Sequence, residues 1–322
     1  MSRHIVLITC AMLLSHHALH VQGAETSKLA RLIVPYTPGG SSDLVARLVA
    51  DKLGDQLKQR VVVENRPGAA GAVGTDLGAK AMPDGKTLLL AYTGTFSILP
   101  NLSPKIPYDP VRDFAPVTTV STWTYLLVVH PSLPVKSVAA LIKLAASRPG
   151  ELNYGSPGSG SVPHFAGARF QSMAKVNLVH VPYKGGNPAM MDLLAGQLHM
   201  YFASGPIALP HIKTSKLRLL AATSLKRSKL YPDVPTISEL GLTGYDITAW
   251  YGIVVPVKTP KEVVDTTHEA IVNVVKNPDY APKLATHGIE PMHTSPGEFL
   301  TLIKNESQLY ARIIKEGNIK AD

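Results

Sequence analysis

Two stretches of this 322-residue chain carry residue types able to hold an anion without a cationic side chain. The first is Tyr36-Thr37-Pro38-Gly39-Gly40-Ser41-Ser42-Asp43. The second is Tyr154-Gly155-Ser156-Pro157-Gly158-Ser159-Gly160-Ser161, continuing to His164. Each follows a short apolar run and opens an amphipathic one, so each reads as a strand-to-helix turn. Glycine leaves backbone N–H groups unshielded, a helix N-terminus adds partial positive charge, and serine hydroxyls supply further donors. A carboxylate or phosphate suits that chemistry, although helix capping alone uses the same residues. Ser41 or Ser42 is the expected N-cap. Asp43 reads as a helix-start charge and not a ligand contact, because its carboxylate would oppose an anion.

Other chemistries lack their patterns. There is no G-x-G-x-x-G: Gly155, Gly158 and Gly160 stand in the wrong order, and Gly68, Gly71 and Gly74 are spaced G-x-x-G-x-x-G. No G-x-x-x-x-G-K-[ST] and no G-x-S-x-G occurs. His164, His180 and His199 fall in no H-E-x-x-H or comparable ligand spacing. The residues offer no catalytic constellation, no metal site and no cofactor.

Alternating elements must position the two turns. Strands are expected over 32–36, 60–64, 87–92, 125–129, 152–155, 178–181, 200–203, 217–223 and 253–255. Helices are expected from 41 onward with Leu44, Leu48 and Leu57 as the apolar face, and over 69–81, 138–147, 162–174, 189–195, 260–275 and 296–316. Asn65-Arg66-Pro67-Gly68 reads as a turn with a Glu64–Arg66 surface pair. This alternation implies an α/β architecture with largely parallel sheets, which gathers the loops after strand C-termini on one rim.

Composition bounds the partners. The chain is 45% hydrophobic and 17% charged, the signature of a globular protein, and its 26 Pro and 25 Gly suit many short elements. Net charge is +9, but the basic residues are scattered, with Lys226-Arg227 and Lys229 the densest run. Nucleic acid is therefore not an expected partner. Arg3, an apolar run over 5–14 and a polar stretch ending in Val21-Gln22-Gly23-Ala24 read as a signal peptide over 1–24, cut after Gly23 or Ala24. The single cysteine, Cys10, lies inside it, which suits an oxidising compartment such as the periplasm.

Four motifs are similar to those of the Bug-type receptors, the extracytoplasmic solute-binding components of tripartite tricarboxylate transporters. They are Pro38-Gly39-Gly40-Ser41-Ser42-Asp43 with Ala46-Arg47, and Val63-Glu64-Asn65-Arg66-Pro67-Gly68-Ala69 with Gly71. The others are Tyr154-Gly155-Ser156 through Gly158, Gly160 and Ser161 to His164, and His180-Val181-Pro182-Tyr183-Lys184-Gly185 with Pro188-Ala189, Asp192 and Gly196-Gln197. The resemblance implies a two-lobed type II periplasmic-binding-protein fold with a ligand cleft between lobes. It implies a receptor, not an enzyme, that captures a small carboxylate and acts as a monomer with membrane permease subunits. The competing readings are a sensor partner of a membrane signalling protein and a carboxylate-processing enzyme.

The same resemblance places Tyr36, Pro38, Gly39, Gly40, Ser41 and Ser42 at a carboxylate from one lobe. Ser156, Gly158, Ser159, Gly160, Ser161 and His164 would reach it from the other. Thr93-Gly94-Thr95 would be a loop facing the rest of the ligand, and Ala203 would stand where relatives often carry a polar or acidic group. His199 replaces a frequent Asp. Lys184 either faces the cleft or is solvated, and Trp250-Tyr251 either walls the pocket or packs in a hinge. Lobe 1 is expected over 25–126 plus 224–322, and lobe 2 over 127–223.

Overall fold

The computed structural model describes residues 29–103 and 105–320, so the signal peptide expected over 1–24 lies outside the described residues. In chain order the elements begin β1 (Leu29–Val34), α1 (Ser41–Leu57), β2 (Arg60–Asn65), α2 (Ala72–Ala79), β3 (Thr87–Tyr92), α3 (Leu99–Leu102) and β4 (Phe114–Val129). Next come α4 (Val138–Ser147), β5 (Asn153–Ser156), α5 (Val162–Ala174), β6 (Val179–Pro182), α6 (Gly186–Leu194), β7 (Met200–Ser204), α7 (Gly205–Lys213) and β8 (Arg218–Ala222). The chain closes with β9 (Thr248–Pro256), α8 (Lys261–Lys276), α9 (Tyr280–Ala285), β10 (Glu290–Pro291) and α10 (Pro296–Gly317).

Two sheets meet in one long strand. Up to Thr124, β4 pairs antiparallel with β9; from Tyr125 to Val129 it pairs antiparallel with β7, and from Leu126 with β8. The first sheet runs β2-β1-β3-β9-β4 with β10 on the far side of β4, and the second continues β4-β7-β5-β6 with β8 on β4. Pairs β1–β2, β1–β3, β5–β6 and β5–β7 are parallel, as strand–helix alternation demands. The expectation of largely parallel sheets fails at the seam. There β4 and β9 lie between the two parallel sets and run against their neighbours β3 and β7.

Buried threonines clasp that seam. The Thr124 and Thr223 hydroxyls lie 3.2 Å apart. Thr223 Oγ1 accepts from Tyr125 N at 2.9 Å, while Thr124 Oγ1 accepts from Thr223 N at 3.2 Å and Ser224 N at 3.1 Å. Helices cover both faces of each sheet. Val45, Val49 and Leu53 of α1 pack with Ile271 and Val275 of α8 over Leu32, Leu90 and Ile253. Leu127, Met200 and Phe202 are covered by Leu141 of α4 and by Phe165 and Phe170 of α5. On the opposite face, Met190, Leu193 and Ala208 of α6 and α7 pack against Val128 and Tyr201.

The buried stripe of α1 is thus Val45, Ala46, Val49, Ala50 and Leu53, with Leu44, Leu48 and Leu57 on its half-buried flanks. The helix expected over 69–81 divides into a tight turn, Ala69–Gly71, and α2. Gly68 at φ 136, Ala70 at φ 54 and Gly71 at φ 97 interrupt it. No helix of the described residues is long and apolar enough to cross a membrane.

Candidate functional site

A cleft of about 390 Å³ opens where the two sheets meet. Four helices begin at it: Ser41 starts α1, Ser161 to Pro163 open α5, Gly186 starts α6, and Ser204 to Pro206 open α7. Their positive dipole ends converge there. Among the described residues lining the cleft, none is Lys, Arg, Asp or Glu. Its walls are Tyr92, Trp123, Tyr125, Tyr201 and Tyr251, with Ile207 and the segment His287-Gly288-Ile289 closing one side.

The first turn is braced to present its amides. Asp43 accepts from Gly39 N at 3.1 Å, Arg47 Nε at 2.9 Å and Asn65 Nδ2 at 3.0 Å, and the Arg47 hydrogen bond leads the effects that hold its carboxyl below the usual range. Asn65 Nδ2 also donates to Tyr36 O at 3.1 Å. Asn65 is therefore a strut under the loop, a role beyond the turn read from the sequence. The N-cap is Gly40 and not a serine, with extended backbone and no side-chain cap bond. The positive φ of 87° that needs glycine belongs to Gly39. No described residue accepts from the N–H groups of Gly40, Ser41 or Ser42. Ser41 Oγ lies 2.9 Å from Tyr251 Oη.

The second turn spends its donors on itself. Gly158 N donates to Ser156 Oγ at 3.1 Å, Gly160 N to His164 Nδ1 at 3.1 Å, and Ser161 N to Gly158 O at 3.2 Å. Ser161 Oγ donates to Gly158 O at 2.7 Å and accepts from His164 N at 3.4 Å, so it is the cap of α5. Ser156 is fully buried and its hydroxyl lies 2.7 Å from His180 Nε2, whose ring stacks on His164 with centroids 3.7 Å apart. Ser159 is half-buried and outside the lining.

Of the residues expected from sequence, Ser41 and Ser161 thus line the cleft. Pro38, Gly39 and Gly40 are exposed on the turn leading to it, and Ser42 is buried beneath. Tyr36 packs edge-on against Tyr92 at 5.9 Å. Thr93, Gly94 and Thr95 are not a loop: a wide helical turn over Gly94–Ile98 runs on into α3 and buries both threonines completely. Thr93 Oγ1 accepts from Trp250 N at 3.0 Å, and the wall residue is its neighbour Tyr92. Ala203 is likewise fully buried in the core, and Ser204 lines the cleft instead. Successive strand residues face opposite sides, so a displacement of one residue exchanges wall for core.

His199 lies 2.8 Å from Asn153 Oδ1 and accepts from Asn153 N at 3.1 Å, a structural link between strands. Lys184 is exposed and outside the lining. Trp250 packs, with Nε1 donating to Glu306 Oε2 at 2.8 Å, whereas Tyr251 walls the cleft.

Rings make a continuous panel. Tyr92 stacks on Trp123 at 6.0 Å, and Tyr251 lies 5.3 Å from Tyr92 and 4.9 Å from Trp123. Burial pushes the Tyr251 phenol up to about 12 and the Tyr92, Tyr125 and Tyr201 phenols well up, so all stay neutral and able to donate. Sequence reading missed most of this panel because an aromatic within a strand looks the same whether it faces a core or a cleft.

Helix starts gathered at a cleft between two α/β lobes are the architecture of a solute-binding receptor. Residues 45–319 match the tripartite tricarboxylate transporter family receptor, TctC, and the chain belongs to that family. It is 35% identical over 291 residues to Protein BugT of Bordetella pertussis, covering 90% of this chain and 89% of that one. Rhodopseudomonas palustris Rpa4515, solved with adipate, is 33% identical at a TM-score of 0.74, covering 91% of this chain and 98% of that one. MatC from the same species, solved with bound malate, is 28% identical at a TM-score of 0.70, covering 89% and 98%.

Proposed function

We propose that this chain is an exported receptor that grips a carboxylate of a small ligand through main-chain amides and delivers the ligand to membrane permease subunits as a monomer. The observation that carries the reading is the unengaged amide set of Gly40, Ser41 and Ser42 at the head of α1, beside a cleft that Ser41 lines and where helix ends replace cationic side chains. A carboxylate placed there gains charge-assisted hydrogen bonds and the dipole field together. The aromatic panel holds the remainder of the ligand. Adipate and malate in the two R. palustris relatives support a carboxylate as the ligand class.

The lobes are assigned to 25–126 plus 224–322 and to 127–223. Support comes from the change of partner along β4 at Thr124–Tyr125 and from the Thr124–Thr223 clasp at the same level. Closure on ligand is then a hinge motion about that seam.

The deciding experiment is mass spectrometry of the small molecule that co-purifies with the native protein, followed by calorimetric titration of that compound. A carboxylic acid binding one to one is the expected result. A neutral or cationic ligand would sink the reading. The leader expected over 1–24 gives a mature N-terminus at Ala24 or Glu25, which N-terminal sequencing of a periplasmic extract checks.

A further inference from the structure

Three neighbouring strands each put one ring into the cleft. Tyr92 of β3 stands directly opposite Tyr251 of β9, and Trp123 follows on β4, the next strand. The rings brace one another. Tyr92 and Trp123 are parallel within 4°, and Tyr251 is tilted by 40° to the first and 43° to the second. Tyr36 meets Tyr92 edge-on as well, and the phenol of Tyr251 is tied to Ser41 Oγ at 2.9 Å. Rings held in this way meet a ligand at little cost in side-chain ordering. From the second sheet come Tyr201 and, on α7, Ile207. Both close in on Gly186, where a Cβ would meet Ile207 Cδ1 and Tyr201 Oη at 3.1 Å each. The described lining holds no methionine, the side chain that re-packs most readily around a body of any shape.

Charge narrows what such a wall can hold. Ser41 belongs both to the unengaged amide set and, through its contact with Tyr251, to the ring wall. An acid group held at those amides therefore has rings close beside it. Ring faces attract two kinds of body, another ring and a quaternary ammonium. The ammonium is opposed here. Four helix starts turn their positive ends to the same cleft, and the described lining holds no Asp or Glu to balance a cation. A neutral apolar body remains. Offset or edge-to-face contact between aromatic rings adds to the burial of apolar area. A saturated body gains from area alone.

We infer that the ligand is an aromatic carboxylic acid, its ring lying against Tyr92, Trp123 and Tyr251 and its carboxyl group carried close to that ring. The inference deepens the proposed function and rests on the main-chain grip described there. It sets this chain apart from the two R. palustris relatives, whose adipate and malate are aliphatic.

The test is calorimetric titration with acids matched in charge and carbon skeleton. The pairs are benzoate with cyclohexanecarboxylate, phenylacetate with cyclohexylacetate, and terephthalate with trans-cyclohexane-1,4-dicarboxylate. Adipate, malate and glycine betaine complete the set. A pocket that reads apolar area alone favours the saturated member, which carries more C–H surface. Wild type should instead bind the aromatic member more tightly by roughly 2- to 12-fold, and more tightly than adipate, malate or glycine betaine. Trp123→Leu and Tyr92→Leu, each checked for folding by thermal melts, keep an apolar side chain and remove a ring. Each should bring the aromatic preference below about twofold. A saturated member that equals or exceeds its aromatic partner overturns the inference and leaves the carboxylate grip standing. So does adipate, malate or glycine betaine binding above every aromatic acid, or an aromatic preference that survives both leucine variants. Failure of all these compounds on folded wild type overturns the grip itself, and this inference with it.

Discussion

Ser41 and Ser161 look equivalent in sequence, yet their atoms have opposite commitments. The Ser161 hydroxyl is spent on Gly158 O and on the N-terminus of α5. Ser161→Ala is therefore expected to lower stability by about 1 kcal/mol as a lost cap, with little change in ligand affinity. Urea unfolding and calorimetric titration on the same sample separate the two effects. Ser41 is the sharper probe. It is the first residue of α1 and follows Gly40 at φ −85, ψ 177, the extended backbone that a residue before proline prefers. Ser41→Pro thus keeps the helix while deleting one amide hydrogen. It should cost roughly 1.5–3 kcal/mol of binding, or about 10- to 150-fold in affinity, beyond whatever Ser41→Ala costs. Equal affinities for the two variants would refute main-chain gripping. The first loop was legible as a strand-to-helix turn, though its cap is Gly40 where a serine was expected. The commitments of the second were not legible, because its donors are consumed by Ser156 and His164, which only the folded backbone brings into range.

At the scale of elements, the readable parts were those with uniform periodicity. Helices α8 and α10 appear within a residue of their expected ends, since long amphipathic stripes and the Ser295–Glu298 capping box leave little freedom. Strand β4 was legible only in its apolar tail over 125–129. Its first half holds Pro116, Thr118, Thr119 and Ser121, a loop-like composition, yet those last three are fully buried. Thr118 and Thr119 are satisfied by Thr294, far away in sequence. The same device holds the seam at Thr124 and Thr223. Thr223→Val removes the acceptor of Tyr125 N and breaks the hydroxyl pair. We expect a loss of roughly 1–3 kcal/mol in urea unfolding, with ligand affinity also altered because the proposed hinge sits there. A Thr223→Val protein as stable as wild type would show the clasp to be idle.

Helix α10 ties the whole molecule together along its back. Asn101 Nδ2 donates to Ser307 O at 3.1 Å, Ser172 Oγ to Glu316 Oε2 at 2.7 Å, and Phe165 packs against Tyr310 at 5.1 Å, so one helix touches both proposed lobes. Inside this contact, burial raises the Glu306 carboxyl to about 8, and burial likewise raises Asp246 to about 6. Both stay protonated in the folded chain where the unfolded chain has ionised them. The folded state then binds more protons, so stability falls as pH rises from the ordinary carboxyl range through about 6 and on through about 8. Glu306→Gln should flatten the upper part of that decline in thermal melts at pH 5, 6.5 and 8. An unchanged slope would remove Glu306 as its source. The cleft that this frame supports carries no Lys or Arg in its described lining. The proposed grip is made of peptide groups that come with the fold, so side-chain substitutions short of proline leave its amides in place. On that proposal, duplicated copies of such a gene are free to vary Tyr92, Trp123 and Tyr251, and so to adopt new nutrients, without passing through a form that lets go of the acid group.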